Sequence, residues 1–200
     1  MEPTTEGRFR VFEGRTDDEL LLVDAETEDP TYVPTGGYEG ELAETVASLD
    51  PGNLVDAALR WPDGDPVFED VAVASRTVFT FVDGTDEVFE AAENTFQQAH
   101  AAGEPMASQV TRNTDGDPNG ALYTIAKQPG ERDVFAEIRG GMLTLEPFVD
   151  RLREGGAEPP FDVFVVRPND APFVIVYLAM EKDGMLAETM RDTYRADAAW

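Results

Sequence analysis

Residues 41–61 read ELAETVASLDPGNLVDAALRW, and the fold of the N-terminal half turns on how this stretch divides. Leu42, Val46 and Leu49 recur at helical spacing and make one apolar stripe. Pro51–Gly52 stops the helix, since proline brings no N–H and glycine accepts turn conformations. NLVDAALRW (53–61) then reads as a strand. Upstream, GRFRVFEGR (7–15) alternates, with Phe9 and Val11 pointing one way and Arg8 and Arg10 the other. TDDE (16–19) turns into a second strand at Leu20–Val23, and PTYVPTGGY (30–38) supplies a short third strand ended by proline and a glycine pair. Downstream, VFEDVAVASRTVFTFV (67–82) closes a hairpin with 53–61 across PDGDP. The order β-β-β-α-β-β, with the helix between strands three and four, is that of the OB-fold and predicts an OB-like small β-barrel domain over 1–83.

After Asp83–Gly84 the pattern changes to an α+β domain over 84–200, with two hairpins and about four helices. Thr85 is placed to cap a helix whose buried stripe is Val88, Phe89, Ala92, Phe96 and Ala99 and whose end is Gly103. Strands follow at about 106–113 and 121–127, and short helices at 132–139 and 146–154. FDVFVVR (161–167) and PFVIVYLAM (172–180) form a second hairpin through PNDA, and a last helix spans 185–195. The class is therefore α+β, a barrel followed by a mixed domain.

The chain is acidic throughout. Forty-one Asp and Glu face 15 Lys and Arg, for a net charge of −26, and only Lys127 and Lys182 are lysines. Residues 1–84 carry 20 acidic and five basic groups, so the charge is no acidic tail; it runs through apolar-patterned sequence. Such a surface repels itself in dilute buffer, and at molar salt, where the Debye length falls to about 3 Å, the repulsion is screened. Spread acidity with few lysines points to a salt-saturated cytosol, and negative charge there excludes no nucleic-acid partner. The chain has no cysteine, which rules out disulfides, thiol catalysis and Cys-ligated metals. MEPTTEGRFR lacks the basic start and apolar centre of a signal peptide, and the longest apolar run, Phe173–Met180, falls far short of the ~20 residues that span a bilayer. A cytoplasmic protein without a membrane partner is expected.

Together, GRFRVFEGR, LDPGNLVDAALRW, RTVFTFVDG (76–84), TRNTDGDPNGALY (111–123) and RPNDAPFVIVYLAMEKDGMLAETMRDTY (167–194) resemble a family of haloarchaeal proteins of unknown function, over nearly the whole chain. The resemblance implies a haloarchaeal cytosolic protein. It implies no activity and assigns no site residues.

Among candidate sites, TRNTDGDPNG (111–120) stands out. Asp115, Asp117 and Asn119, with Gly120, match the first half of a calcium-binding EF-hand loop. The second half fails, because the twelfth position is Ala126 and ALYTIA is strand-like. DGDP also occurs at 63–66, where it turns a hairpin, so a plain turn is the favoured reading and weak divalent-cation binding the other. Arg112 and Asn113 enter the same turn, and arginine is the residue for bidentate phosphate or carboxylate recognition. His100 is the only histidine and sits at a helix end. None of Ser48, Ser75 and Ser108 lies in a nucleophile elbow, and no phosphate-binding glycine loop is present. An enzyme is the less favoured reading.

The barrel strands instead carry Arg8, Arg10, Arg15, Arg60 and Arg76 near Tyr32, Tyr38, Trp61, Phe79 and Phe81, a composition that stacks bases and holds phosphates. Against it, strand two is flanked by TDDE and DAETED, a poor phosphate track. The expected function is a non-catalytic binding or adaptor role toward single-stranded nucleic acid or a ribonucleoprotein, through Arg8, Arg10, Tyr32, Trp61, Arg112 and Asn113. The alternatives are a metal-assisted, carboxylate-based hydrolase using the 112–119 loop and a protein–protein scaffold without ligand. No cofactor is expected beyond a weakly bound divalent cation.

The charge makes a first prediction. The midpoint of chemical denaturation should fall steadily as KCl is lowered from molar to millimolar; an unchanged midpoint would contradict the salt argument.

Overall fold

The computed structural model describes residues 4–127, 130 and 132–194. Among them are two five-stranded sheets and five α-helices, a mixed α+β protein. Backbone contacts divide the chain into two units, one of residues 1–78 with 138–146 and one of 79–137 with 147–200.

The first unit contains β1 (Thr4–Glu13), β2 (Glu19–Asp24), β3 (Pro30–Pro34), α1 (Gly40–Ala47), β4 (Leu54–Arg60) and β5 (Val67–Ser75). Its strand order is β3-β2-β1-β4-β5, and each pairing is antiparallel. β1 is shared lengthwise: Thr4–Arg10 pair with β4, and Phe9–Glu13 pair with β2. One face of the sheet holds the core of Phe9, Val11, Leu22, Val33, Val55, Leu59 and Phe68, with Val46 of α1 upon it.

The expected barrel is not closed. β3 and β5 are the two edges of an open sheet, with no ladder between them. Proline stands at both ends of β3, and a residue without an N–H cannot extend a ladder.

Asn53, from the stretch quoted first, is fully buried and organises this unit. Its Oδ1 accepts the Asp50 N–H at 3.0 Å, its carbonyl accepts the Val11 N–H at 2.9 Å, and its Nδ2 donates to the Thr77 carbonyl at 3.1 Å. The bond to Thr77 marks a corner that the sequence reading ran straight through as one strand over 67–82. β5 ends at Ser75, and β6 (Val78–Thr85) belongs to the other sheet. Arg76 helps hold the corner by donating from Nη1 to the Ser48 carbonyl at 2.8 Å.

The opposite face of β1 and β2 is covered as well. Segment 138–146 belongs to this unit although it lies far along the chain. Gly141, at φ 70°, sits so close that an added Cβ would come within 2.8 Å of Val23, with Leu21 and Phe12 next nearest. Arg10 shares this covered face and is only 4% exposed. Its Nε and Nη2 donate to the two carboxylate oxygens of Glu146 at 2.6 and 2.8 Å, and its Nη1 donates to the Gly52 carbonyl at 2.8 Å.

The second unit is built from β6, α2 (Glu90–Ala102), β7 (Met106–Arg112), β8 (Pro118–Ala126), α3 (Val134–Arg139), α4 (Glu146–Glu154), β9 (Asp162–Pro168), β10 (Phe173–Ala179) and α5 (Met185–Tyr194), except that Val78 at the start of β6, Ile138 and Arg139 at the end of α3 and Glu146 at the start of α4 belong to the first. Arg195, the expected end of the last helix, lies outside the described residues, as do residues 1–3 of the N-terminal stretch read for a signal peptide. The sheet order is β6-β9-β10-β8-β7. β10 is buried along its whole length, as its unbroken apolar sequence implies for a strand covered on both faces. On one face Leu122, Phe164, Ile175 and Tyr177 pack with Ala92 of α2 and with Ala187, Met190 and Tyr194 of α5. On the other, Phe135 of α3 meets Phe81 edge-on at 6.0 Å, and Phe148 of α4 lies 4.4 Å from Tyr123. Thr85 does not cap α2; it ends β6, and its Oγ1 accepts the Glu87 N–H at 3.0 Å, so the helix begins five residues later. Among the described residues no helix is long and apolar enough to cross a membrane.

Two ion pairs of the first unit make opposite predictions. Glu146→Gln removes the carboxylate from a buried guanidinium and should cost about 3 kcal/mol of folding free energy. Asp56→Asn breaks the exposed pair with Arg8, at 2.7 Å, and should cost less than about 1 kcal/mol. Denaturation at one fixed molar KCl concentration reads both, and equal costs would show that burial of Arg10 carries no weight.

Candidate functional site

The residues singled out in the first unit are engaged by neighbouring side chains. Arg8 makes a bidentate pair with Asp56, its direct cross-strand neighbour, and that pairing holds the Asp56 carboxyl below its usual range. Arg10 is inside the unit and offers no surface. Tyr32 is half-buried with the Arg15 guanidinium 4.0 Å above its ring, and Arg15 is itself paired with Glu19 at 2.8 Å. Trp61 donates its indole N–H to Thr5 Oγ1 at 3.1 Å. Phe79 and Phe81, expected near this surface, are buried in the second unit. Arginines and aromatics that looked like a phosphate and stacking surface therefore satisfy nearby acids, carbonyls and rings.

The stretch 112–119 lies in the second unit and connects β7 to β8. Asn113 builds the turn. Its Oδ1 accepts the N–H groups of Asp115 and Asp117 at 3.0 and 2.9 Å, and its backbone bonds to Asp117 and Gly116. Arg112 Nη1 donates to the Gly116 carbonyl at 2.8 Å. Asn119 Oδ1 accepts from Thr111 Oγ1 at 2.9 Å, and Thr111 accepts from the Tyr177 hydroxyl at 2.9 Å. One oxygen of the half EF-hand pattern, Asn119 Oδ1, is thus engaged by Thr111. Among the described residues no three His, Cys, Asp or Glu side chains gather to hold a metal.

This turn forms one wall of a cleft of about 540 Å³. The facing wall runs from the end of β10 into α5 and brings Met180, Glu181, Met185, Leu186 and Thr189. Its position is set by Asp162, which is 1% exposed. Asp162 Oδ2 accepts the Asp183 N–H at 2.7 Å, and its Oδ1 lies 2.8 Å from Arg191 Nη2, an ion pair rather than an aligned hydrogen bond. Lys182, and after it Arg191, hold the Asp183 carboxyl below its usual range. Gly120 lets α5 approach the sheet, since a Cβ there would meet Leu186 at 2.7 Å. Met185 is left 82% exposed at the cleft. Of the sequence candidates, the cleft gathers Arg112, Asn113, Asp115 and Asn119, and leaves Asp117 outside its lining. The second wall carried no motif; the only sequence signal for it was a methionine at a helix start.

A family model described as a family of unknown function (DUF6663) matches residues 1–199. The chain belongs to that family. No curated protein matches it. The DUF6663 match runs through both units, so neither is a separate addition to the family's common sequence.

The other histidine and serine candidates of this DUF6663 chain are in ordinary company. His100 stacks on Phe96 of its own helix at 5.7 Å, Ser48 donates to the Thr45 carbonyl at 2.8 Å, and Ser75 bonds to Thr77 at 3.2 Å. In the DGDP of 63–66 the Asp65 N–H bonds to the Pro62 carbonyl at 3.0 Å, a tight turn.

The two DGDP turns make the next prediction. Asp115→Asn with Asp117→Asn, like Asp63→Asn with Asp65→Asn, should change stability by less than about 0.5 kcal/mol and add no calcium response. Asn113→Ala removes the acceptor of two backbone N–H groups and should cost about 1–2 kcal/mol. A calcium-dependent rise in melting temperature that only the 115/117 pair abolishes would restore the metal reading.

Proposed function

We propose that the protein is a non-catalytic binding or adaptor protein of a salt-rich cytosol, and that its ligand seats in the cleft between the 112–119 turn and the start of α5. One observation carries this reading. Large apolar side chains, Met180, Met185 and Leu186, face a wall of Arg112 and Asn119 across about 540 Å³, within the 300–1,000 Å³ typical of small-molecule clefts. Met185 stands open to solvent there, and a bound ligand would cover it. Asn113 Oδ1 is engaged by the turn and Asn119 Oδ1 by Thr111, which favours a fixed binding wall over a metal-assisted hydrolase that would need these oxygens as ligands.

The setting is read from the net charge of −26 and from the resemblance to haloarchaeal proteins, which together support a halophilic cytosolic protein. For the first unit, the element order β-β-β-α-β-β supports an OB-like lineage with an open seam. Its arginines, paired as they are, favour a supporting role over a single-stranded nucleic-acid surface.

Capture from a native lysate in molar KCl, with and without nuclease, followed by mass spectrometry of what is retained, tests the proposal. Wild type should retain a molecule that the cleft-filling variant Met185→Trp loses, whether or not nuclease is added. Retention that nuclease abolishes and Met185→Trp leaves intact would replace this reading with the nucleic-acid one.

A further inference from the structure

We propose that the ligand of this cleft is a small zwitterion with an apolar body, the chemistry of a free apolar α-amino acid, its carboxylate on Arg112 and Asn119 and its ammonium on Asp115 and Glu181. The assignment rests on the binding reading above and names the ligand class for that same site.

The Tyr177 ring is stacked with Phe89 at 5.5 Å, and burial pushes its hydroxyl pKa up, keeping it a donor. A phenolic O–H left without an acceptor in apolar surroundings is costly, so it donates to Thr111 Oγ1, 2.9 Å away. The Thr111 proton is then directed to Asn119 Oδ1 at 2.9 Å. An amide whose oxygen is committed to Thr111 turns its NH₂ the other way, toward the cleft that Asn119 lines. Arg112, fixed through Nη1 to the Gly116 carbonyl, adds further donors and no acceptor. That part of the wall is built for an oxyanion.

Two carboxylates share the lining. Asp115 lies on the same turn, and Glu181 lies opposite, folded against Gly184 so closely that a Cβ at 184 would be 3.0 Å from its Cβ and Cγ. A simple anion would be attracted by Arg112 and repelled by both acids; a simple cation would meet the reverse. A molecule carrying both charges satisfies Arg112 and the two acids at once. Met180, Met185 and Leu186 then take its apolar side chain. Molar salt screens charge beyond about 3 Å, which leaves direct hydrogen bonds and apolar contact to decide affinity.

The test uses the full chain in molar KCl, with amide shifts followed by NMR and affinity by calorimetry. The probes are L-leucine, L-leucinamide, N-acetyl-L-leucine and glycine. L-leucine should saturably shift the amides of 112–119 and 180–189. Blocking either end, or removing the side chain as in glycine, should weaken binding about tenfold or more. Arg112→Gln should weaken L-leucine by a similar factor, about tenfold, while leaving the weaker L-leucinamide unchanged. The blocked probes need no variant, so the proposal stays testable even if a substitution fails to fold. L-leucinamide or N-acetyl-L-leucine binding as tightly as L-leucine would overturn it, and so would the absence of cleft shifts at saturating L-leucine. In that last case, a retained molecule still lost on Met185→Trp would sink the zwitterion and leave the binding reading standing; an empty capture would sink both.

Discussion

The first unit depends on one ion pair. Arg10 and Glu146 are far apart in the chain, yet the bidentate contact at 2.6 and 2.8 Å ties the end of segment 138–146 to β1. Without it, Phe12, Leu21 and Val23 would face water on the side of the sheet away from the unit's own core. Removing the carboxylate from a guanidinium this deep is costly, so the pair acts less as added stability than as a condition on where the segment lies. Gly141 and the Arg139–Glu13 pair, at 3.0 Å, reinforce the placement without replacing it.

What could be read from sequence follows from range. Element order, the two hairpins of the second unit and the Gly103 stop of α2 depend on residues within one or two turns of each other, and periodicity captures them. The turn at 112–119 was legible for the same reason, since Asn, Asp, Gly and Pro act on their own backbone. Arg10 was misplaced because the alternation of GRFRVFEGR reveals only which residues share a face, not whether a segment beginning near residue 138 covers it. The corner at Arg76–Thr77 was missed because its determinant, Asn53, lies 24 positions away. Half of the cleft was likewise out of reach: Asp162 and Arg191 look like two more charges among many until the fold puts them 2.8 Å apart.

The same view changes the meaning of the arginines. In a chain with 15 basic residues against 41 acidic ones, a cation is never far from a carboxylate. Arg167 shows the outcome: it grips Asp83 at 2.6 Å, also holds Asp133, and lies over Phe135 at 4.7 Å, joining α3 to the sheet of the second unit. Arginine here works as an internal clamp. Arg112, bonded to the Gly116 carbonyl, also lines the cleft, and that position gives it its place in the functional reading.

The prolines bounding β3 have a consequence beyond topology. An unpaired strand invites another chain to extend the sheet, and many proteins guard such strands with charge. In concentrated electrolyte charge loses its reach, and a protein that relied on it would be open to end-on assembly. A missing N–H is indifferent to ionic strength. Pro30 and Pro34 therefore give this margin a protection against fibre growth that holds equally in dilute buffer and in brine.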